Sequence, residues 1–154
     1  ILQIGRGKPG LIILERVNNE KEYWVSSDGV YIVLYKGKII QTAGLQHNLK
    51  STRSDHYSFT NKNTEFVNYY SFEQPDLLDL PVSISSKNRG RNVIDLLIKE
   101  KELNLLEENL SNRTINWKAT NLYWYDDEGY VWKSEQNISP KLPTFFLEIT
   151  KRPI

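Results

Sequence analysis

The sequence predicts an all-β domain, an antiparallel meander that closes into a barrel or a strongly curved sheet. Three observations carry this. Short runs rich in Val, Ile, Tyr and Trp recur every eight to twelve residues, each bounded by a turn dipeptide such as Asp28-Gly29 or Lys36-Gly37. Aromatics make up 12 % of the chain, with nine Tyr and four Trp, which suit pleated, half-buried surfaces better than helices. Residues 121–136 form an aromatic hairpin pattern around Asp126-Asp127-Glu128-Gly129, where Gly129 can adopt positive φ.

In order, Ile1–Ile4 and Gly10–Val17 are apolar runs separated by Gly5-Arg6-Gly7-Lys8-Pro9-Gly10, which reads as a hairpin turn. A phosphate loop would need Gly-Lys-Ser/Thr ahead of a helix, and β-branched Ile12 and Ile13 follow instead. Tyr23-Trp24-Val25, residues 30–35 and residues 39–43 continue the meander. Residues 44–64 are polar and aperiodic and read as a surface excursion, with one short strand around Tyr57-Ser58-Phe59. Both histidines, His47 and His56, lie here. Ser54, Asp55 and His56 are consecutive, so their side chains point apart and do not form a triad. Residues 64–72 read as a strand, residues 74–81 as a proline-bracketed connection, and residues 87–91 as a turn.

Residues 92–112 are ambiguous. Their Leu, Glu and Lys content favours helix, and Leu96, Leu103, Leu106 and Leu110 would share a helical face. Ile94, Leu96 and Ile98 instead fall at period 2. The chain then alternates through Ile115, Trp117 and Ala119 into the 121–136 hairpin, and Pro140 and Pro143 precede a last strand at 144–150.

At 154 residues the chain predicts a single domain, 1–154. Twenty basic and nineteen acidic residues leave a net charge of +1, which gives no electrostatic footprint for a nucleic acid partner. The absence of cysteine excludes disulfides, thiol nucleophiles and thiolate metal sites within this chain. No stretch approaches the roughly 20 apolar residues of a membrane helix. No residue pattern specifies a cofactor or a metal. Ile1–Ile4 reads as a strand already under way and the chain contains no Met, so the β domain is expected to extend upstream of Ile1.

Two blocks resemble the YjbF/GfcB (YmcC-like) lipoproteins. One is Trp24, Ser26, Asp28 and Gly29, continued by Lys36 to Ile39, Thr42, Gly44 and Leu45. The other is Asn121, Tyr123, Trp124, Asp126, Gly129, Val131, Ser134, Gln136 and Pro140. The resemblance implies a largely antiparallel, barrel-like fold and draws residues 92–112 toward two strands. It also implies a non-enzymatic lipoprotein on the periplasmic face of the Gram-negative outer membrane, an accessory in capsule or exopolysaccharide secretion or assembly. Its partners would be envelope proteins of polysaccharide export or assembly, and the polysaccharide itself. Membrane attachment would run through a signal peptide and a lipidated cysteine upstream of Ile1.

Two other functions stay open. A carbohydrate-binding module could stack sugars on Trp24, Tyr123, Trp124 and Trp132, although aromatics on alternating strands usually form core or cross-strand pairs. A small envelope-glycan hydrolase could use Asp126, Asp127 and Glu128, although three acids in one turn are ordinarily solvated.

Overall fold

A computed structural model describes residues 1–55, 59, 63–74 and 76–153. His56, Tyr57 and Ser58, and with them the strand expected around Tyr57, lie outside the described residues.

Among the described residues twelve strands build the fold: β1 (Leu2–Ile4), β2 (Ile12–Asn18), β3 (Lys21–Ser26), β4 (Tyr31–Tyr35), β5 (Lys38–Ala43), β6 (Leu49–Arg53), β7 (Thr64–Phe72), β8 (Leu77–Asp95), β9 (Glu100–Asn112), β10 (Trp117–Tyr125), β11 (Val131–Gln136) and β12 (Phe145–Glu148). They form two antiparallel sheets. The larger, in the order β1-β12-β11-β10-β9-β8-β7-β6, curls into half a barrel, and the smaller runs β2-β3-β4-β5. Apart from β1, every strand pairs with its neighbour in sequence, so the meander holds.

The sheets meet at two seams. At one, β5 lies beside β6, where the Leu49 N–H donates to Thr42 Oγ1 at 2.9 Å. At the other, Leu2 and Gly10 exchange both backbone hydrogen bonds, at 2.9 and 2.8 Å. The expected β1–β2 hairpin is therefore corrected. Beyond that single bridge β1 pairs with β12, and β2 belongs to the other sheet. Leu2, Phe145 and Leu147 together enter the core, and that burial favours the long-range pairing.

One core fills the space between the sheets. Ile12, Trp24, Ile32, Leu34 and Ile39 face inward from the smaller sheet; Val82, Ile84, Leu103, Leu110 and Phe145 face them from the larger.

Residues 92–95 and 100–112 lie in two strands, as the resemblance implies, joined by a turn at 96–99, and tertiary pairing overrides helix propensity here. Four local expectations are corrected. Residues 44–64 contain β6, which pairs with β7. Residues 77–81 belong to β8, and Pro81 pairs with Tyr69. Pairing of β8 with β9 begins only at Ser83, so the proline's missing N–H falls where β9 makes no ladder bond. Residues 87–91 do not reverse the chain but bulge inside β8, between Asn88 and Arg91, with Gly90 at φ 92°. The last strand is shorter than expected and ends at Glu148.

Candidate functional site

Thr42 of the first sequence block and Gln136 of the second join the two sheets, with Asn48, just past the first block, at the turn between them. Asn48 Oδ1 accepts from the Leu45 N–H at 3.1 Å, and its Nδ2 donates to the Leu45 carbonyl at 3.0 Å, fixing the turn from β5 to β6. Gly44 carries φ 79°, and a Cβ on it would lie 2.3 Å from the Gly29 carbonyl oxygen. The glycine of the first hairpin and that of the seam thus pack backbone to backbone. In the second block, Gln136 Oε1 accepts from the Ile39 N–H at 2.8 Å, and its Nε2 donates to the Gly37 carbonyl at 2.9 Å. One side chain on β11 therefore bonds the start of β5 across the core.

Beside that joint lies a buried ion pair. Lys38 Nζ stands 2.8 Å from Glu108 Oε2, with side-chain exposures of 9 % and 3 %. The ammonium also faces the rings of Phe59, Phe66 and Tyr123 at 5.4–5.8 Å. Burial, and then the Glu108 charge, push the Tyr123 phenol well above its usual range, so it stays protonated. Asn121 Nδ2 and Gln136 Oε1 lie 3.3 and 3.4 Å from that hydroxyl. The cluster is enclosed and ties β5 to β9, β10 and β11. Nothing in the sequence marked Lys38 or Glu108 as interior, because lone charges in strands normally face water.

Of the four aromatics considered for sugar stacking, Trp24, Tyr123 and Trp132 are buried and Trp124 is half-buried. The Trp24 indole donates to Glu22 and the Trp132 indole to Asp126. Lys99 and Lys101 stack on Trp132, and Lys133 on Trp124. The acidic turn is divided among separate contacts. Asp126 accepts from the Glu128 and Tyr130 N–H groups as well as from Trp132, whereas Asp127 pairs with Arg91 and Glu128 with Arg152. Arg91 holds the Asp127 carboxyl below its usual range. His47 Nδ1 lies 2.9 Å from the Gln74 carbonyl oxygen.

A surface trough of about 780 Å³ runs across β7 to β10. Strand register explains its composition. Phe66, Ile84, Leu110 and Ala119 form one cross-strand row that packs toward the core. The rows on either side therefore point outward: Glu65, Ser85, Asn109 and Thr120; and Val67, Ser83, Ser111 and Lys118. Serines on the two central strands make a low floor, and longer side chains on β7 and β10 make its walls. The result is an open surface on which the Ser83, Ser85, Ser111 and Thr120 hydroxyls and the Asn109 amide stand beside Glu65, Lys118 and exposed Val67, and which sequence reasoning did not identify. The signal was Ser83-Ile84-Ser85 opposite Asn109-Leu110-Ser111, visible only once β8 and β9 were known to pair.

Comparison with known proteins agrees with this architecture. No curated protein sequence matches the chain. Among solved structures, the hypothetical lipoprotein YmcC from Escherichia coli (K12) superposes with a TM-score of 0.85 at 16 % identity, covering 99 % of this chain and 83 % of that one. At that identity the likeness establishes the fold. The family described as "Group 4 capsule polysaccharide lipoprotein gfcB, YjbF" matches residues 1–151, and with nearly the whole length so matched, the chain belongs to the YjbF family of capsule polysaccharide lipoproteins.

Proposed function

We propose that the protein is a non-enzymatic accessory of capsule or exopolysaccharide secretion, held at the periplasmic face of the outer membrane by lipid on a cysteine upstream of Ile1. In this reading the β7–β10 trough is where glycan rests, and the neighbours are envelope proteins of polysaccharide export or assembly. The observation that carries the proposal is the family match over residues 1–151. The trough supports it: an open concavity of about 780 Å³ that mixes hydroxyls with apolar surface suits a sugar, whose hydroxyls and C–H faces need both, and it lies within the roughly 300–1,000 Å³ common for ligand sites. Of the four aromatics, half-buried Trp124 shares the outward face of β10 with Lys118 and Thr120 but stands outside the trough lining, with Lys133 over its ring.

The test is deletion of the gene in its host, followed by complementation and measurement of cell-surface polysaccharide. Wild type should restore it. Ser85→Trp with Ser111→Trp, which fills the trough from its floor, should restore it poorly while the protein unfolds at an unchanged temperature. Full export by a stable trough-filled variant would refute the glycan role of the trough. Undiminished polysaccharide in the deletion strain would refute the accessory function.

A further inference from the structure

The longest hairpin of the fold, β8–β9, ends in an apex that local folding does not explain. The Leu96 N–H donates to the Lys99 carbonyl at 2.9 Å, which leaves Leu97 and Ile98 at the apex. Each is 67 % exposed, and Val93 just below is 65 % exposed. Hairpin apices are normally built from Gly, Asn or Asp, whose conformational freedom and polarity suit them to water. Leu and Ile bring neither property. The inward-facing neighbours Ile94 and Leu96 already pack against the core, so the apex pair is additional to what the fold requires.

The apex lies where the chain enters the fold. Glu148 joins the two: its carbonyl oxygen accepts from the Ile1 amine at 2.7 Å, and its carboxylate accepts from the Leu97 N–H. Any segment preceding Ile1 therefore leaves the domain beside Leu97 and Ile98. Lys99 and Lys101 flank the apex, but so do Asp95, Glu100 and Glu102, which leaves no basic excess there.

We infer that the Leu97–Ile98 apex is a membrane contact, dipping into the interfacial region of the bilayer to which the segment before Ile1 leads. This rests on the lipid-anchored reading above. A tether emerging beside an apolar apex holds it at the bilayer at high effective concentration, so two large side chains suffice where they would bind a free protein only weakly. The contact is apolar, so it should need no anionic lipid and should persist in salt. It also orients the domain, with the β8–β9 apex toward lipid.

The chain has no cysteine, so one introduced residue gives a unique label. The chain, carrying an N-terminal hexahistidine tag, is bound to phosphatidylcholine vesicles containing a nickel-chelating lipid. An environment-sensitive fluorophore is placed at Ile98→Cys or, as a control, at Lys118→Cys in the trough. The expected result is a blue shift and quenching by nitroxide-labelled lipid at position 98, unchanged in high salt, with neither effect at position 118. An untagged chain with Leu97→Ser and Ile98→Ser should partition onto plain vesicles at least about tenfold more weakly than the untagged native sequence, with an unaltered unfolding midpoint. Equal, water-like signals at positions 98 and 118 on tethered protein would overturn the inference. So would burial of the label without lipid that grows with protein concentration, because it assigns the apex to a second copy. The artificial tether makes these results independent of the natural anchor, which fractionation of cells tests separately. A native protein found wholly in the soluble fraction refutes the anchor and removes the bilayer as physiological occupant.

Discussion

Replacing Glu108 with Gln tests the central joint of the fold. The exchange keeps the side-chain shape and a hydrogen-bond acceptor for Lys38 Nζ, now 2.8 Å away, but removes the Glu108 charge from beside an ammonium with 9 % side-chain exposure. Removing one partner of such a buried pair costs about 3–5 kcal/mol, most of it desolvation that is no longer compensated. For a domain of this size each kcal/mol moves the unfolding midpoint by about 2–4 °C, so the expected drop is about 6–20 °C. Lys38→Met should cost a similar amount: the methionine can fill the space among Phe59, Phe66 and Tyr123, but the Glu108 side chain, at 3 % exposure, loses its opposite charge. Combining Lys38→Met with Glu108→Leu removes both charges and should recover most of the loss. The assay is urea and thermal unfolding followed by tryptophan fluorescence, analysed as a double-mutant cycle. Additive losses with no recovery in the pair, or a Glu108→Gln cost below about 1 kcal/mol, would show that the two charges are not coupled in the interior.

Three further outcomes follow from the same geometry. Gly37→Ala and Gly44→Ala should each destabilise strongly, because a Cβ at Gly37 would lie 2.4 Å from Val131 Cγ2 and one at Gly44 would meet backbone; Gly90→Ala, with open space around it, is the control in chemical denaturation. Gly29→Val should lower the midpoint because Gly29 sits at φ 87°, and Asp28→Ala should do so by removing the acceptor of the Ser26 hydroxyl; loss of a binding activity at unchanged stability would argue against this reading. Burial raises the Glu22 carboxyl above its usual range, although the Trp24 indole bond pulls it back. Glu22 therefore contributes most stability below the unfolded carboxylate value and loses it as pH rises through the raised folded value. Glu22→Gln should raise the midpoint relative to wild type near about pH 7, and the gap should close below about pH 4, as followed by thermal melts across pH.

The meander was legible because turn chemistry is local: Asp28-Gly29, Lys36-Gly37 and Asp126–Gly129 each close the hairpin their residues predict. Residues 100–112 misled for an identifiable reason. Leu106, Glu108 and Leu110 all face inward at period 2, but Glu108 carries a charge, so the surviving apolar residues, Leu103, Leu106 and Leu110, take on helical spacing. The family resemblance corrected what local propensity could not. Strand β6 escaped for a similar reason: of its five residues only Leu49 is buried, and the rest are polar. Pro81 and Gly90 read as breaks, yet β8 runs through both, since one sits where β9 makes no ladder bond and the other in a bulge. The trough and the ion pair depend on which strands become neighbours. No single strand encodes that.

The pairing of β1 with β12 has a kinetic meaning as well. The Ile1–Glu148 contact spans 147 positions, so β1 has no strand partner until nearly all of the chain has been made or, in an exported protein, threaded across a membrane. Loop-closure entropy opposes such a contact until the intervening meander has folded and brought the two ends together. Strand β1 should therefore dock last and detach first, exchanging its amide hydrogens well before those of β9 and β10. A segment ahead of Ile1, as the lipid-anchored reading proposes, would stay loose throughout synthesis, accessible to processing until the eleven strands behind it have formed a sheet edge for β1 to join.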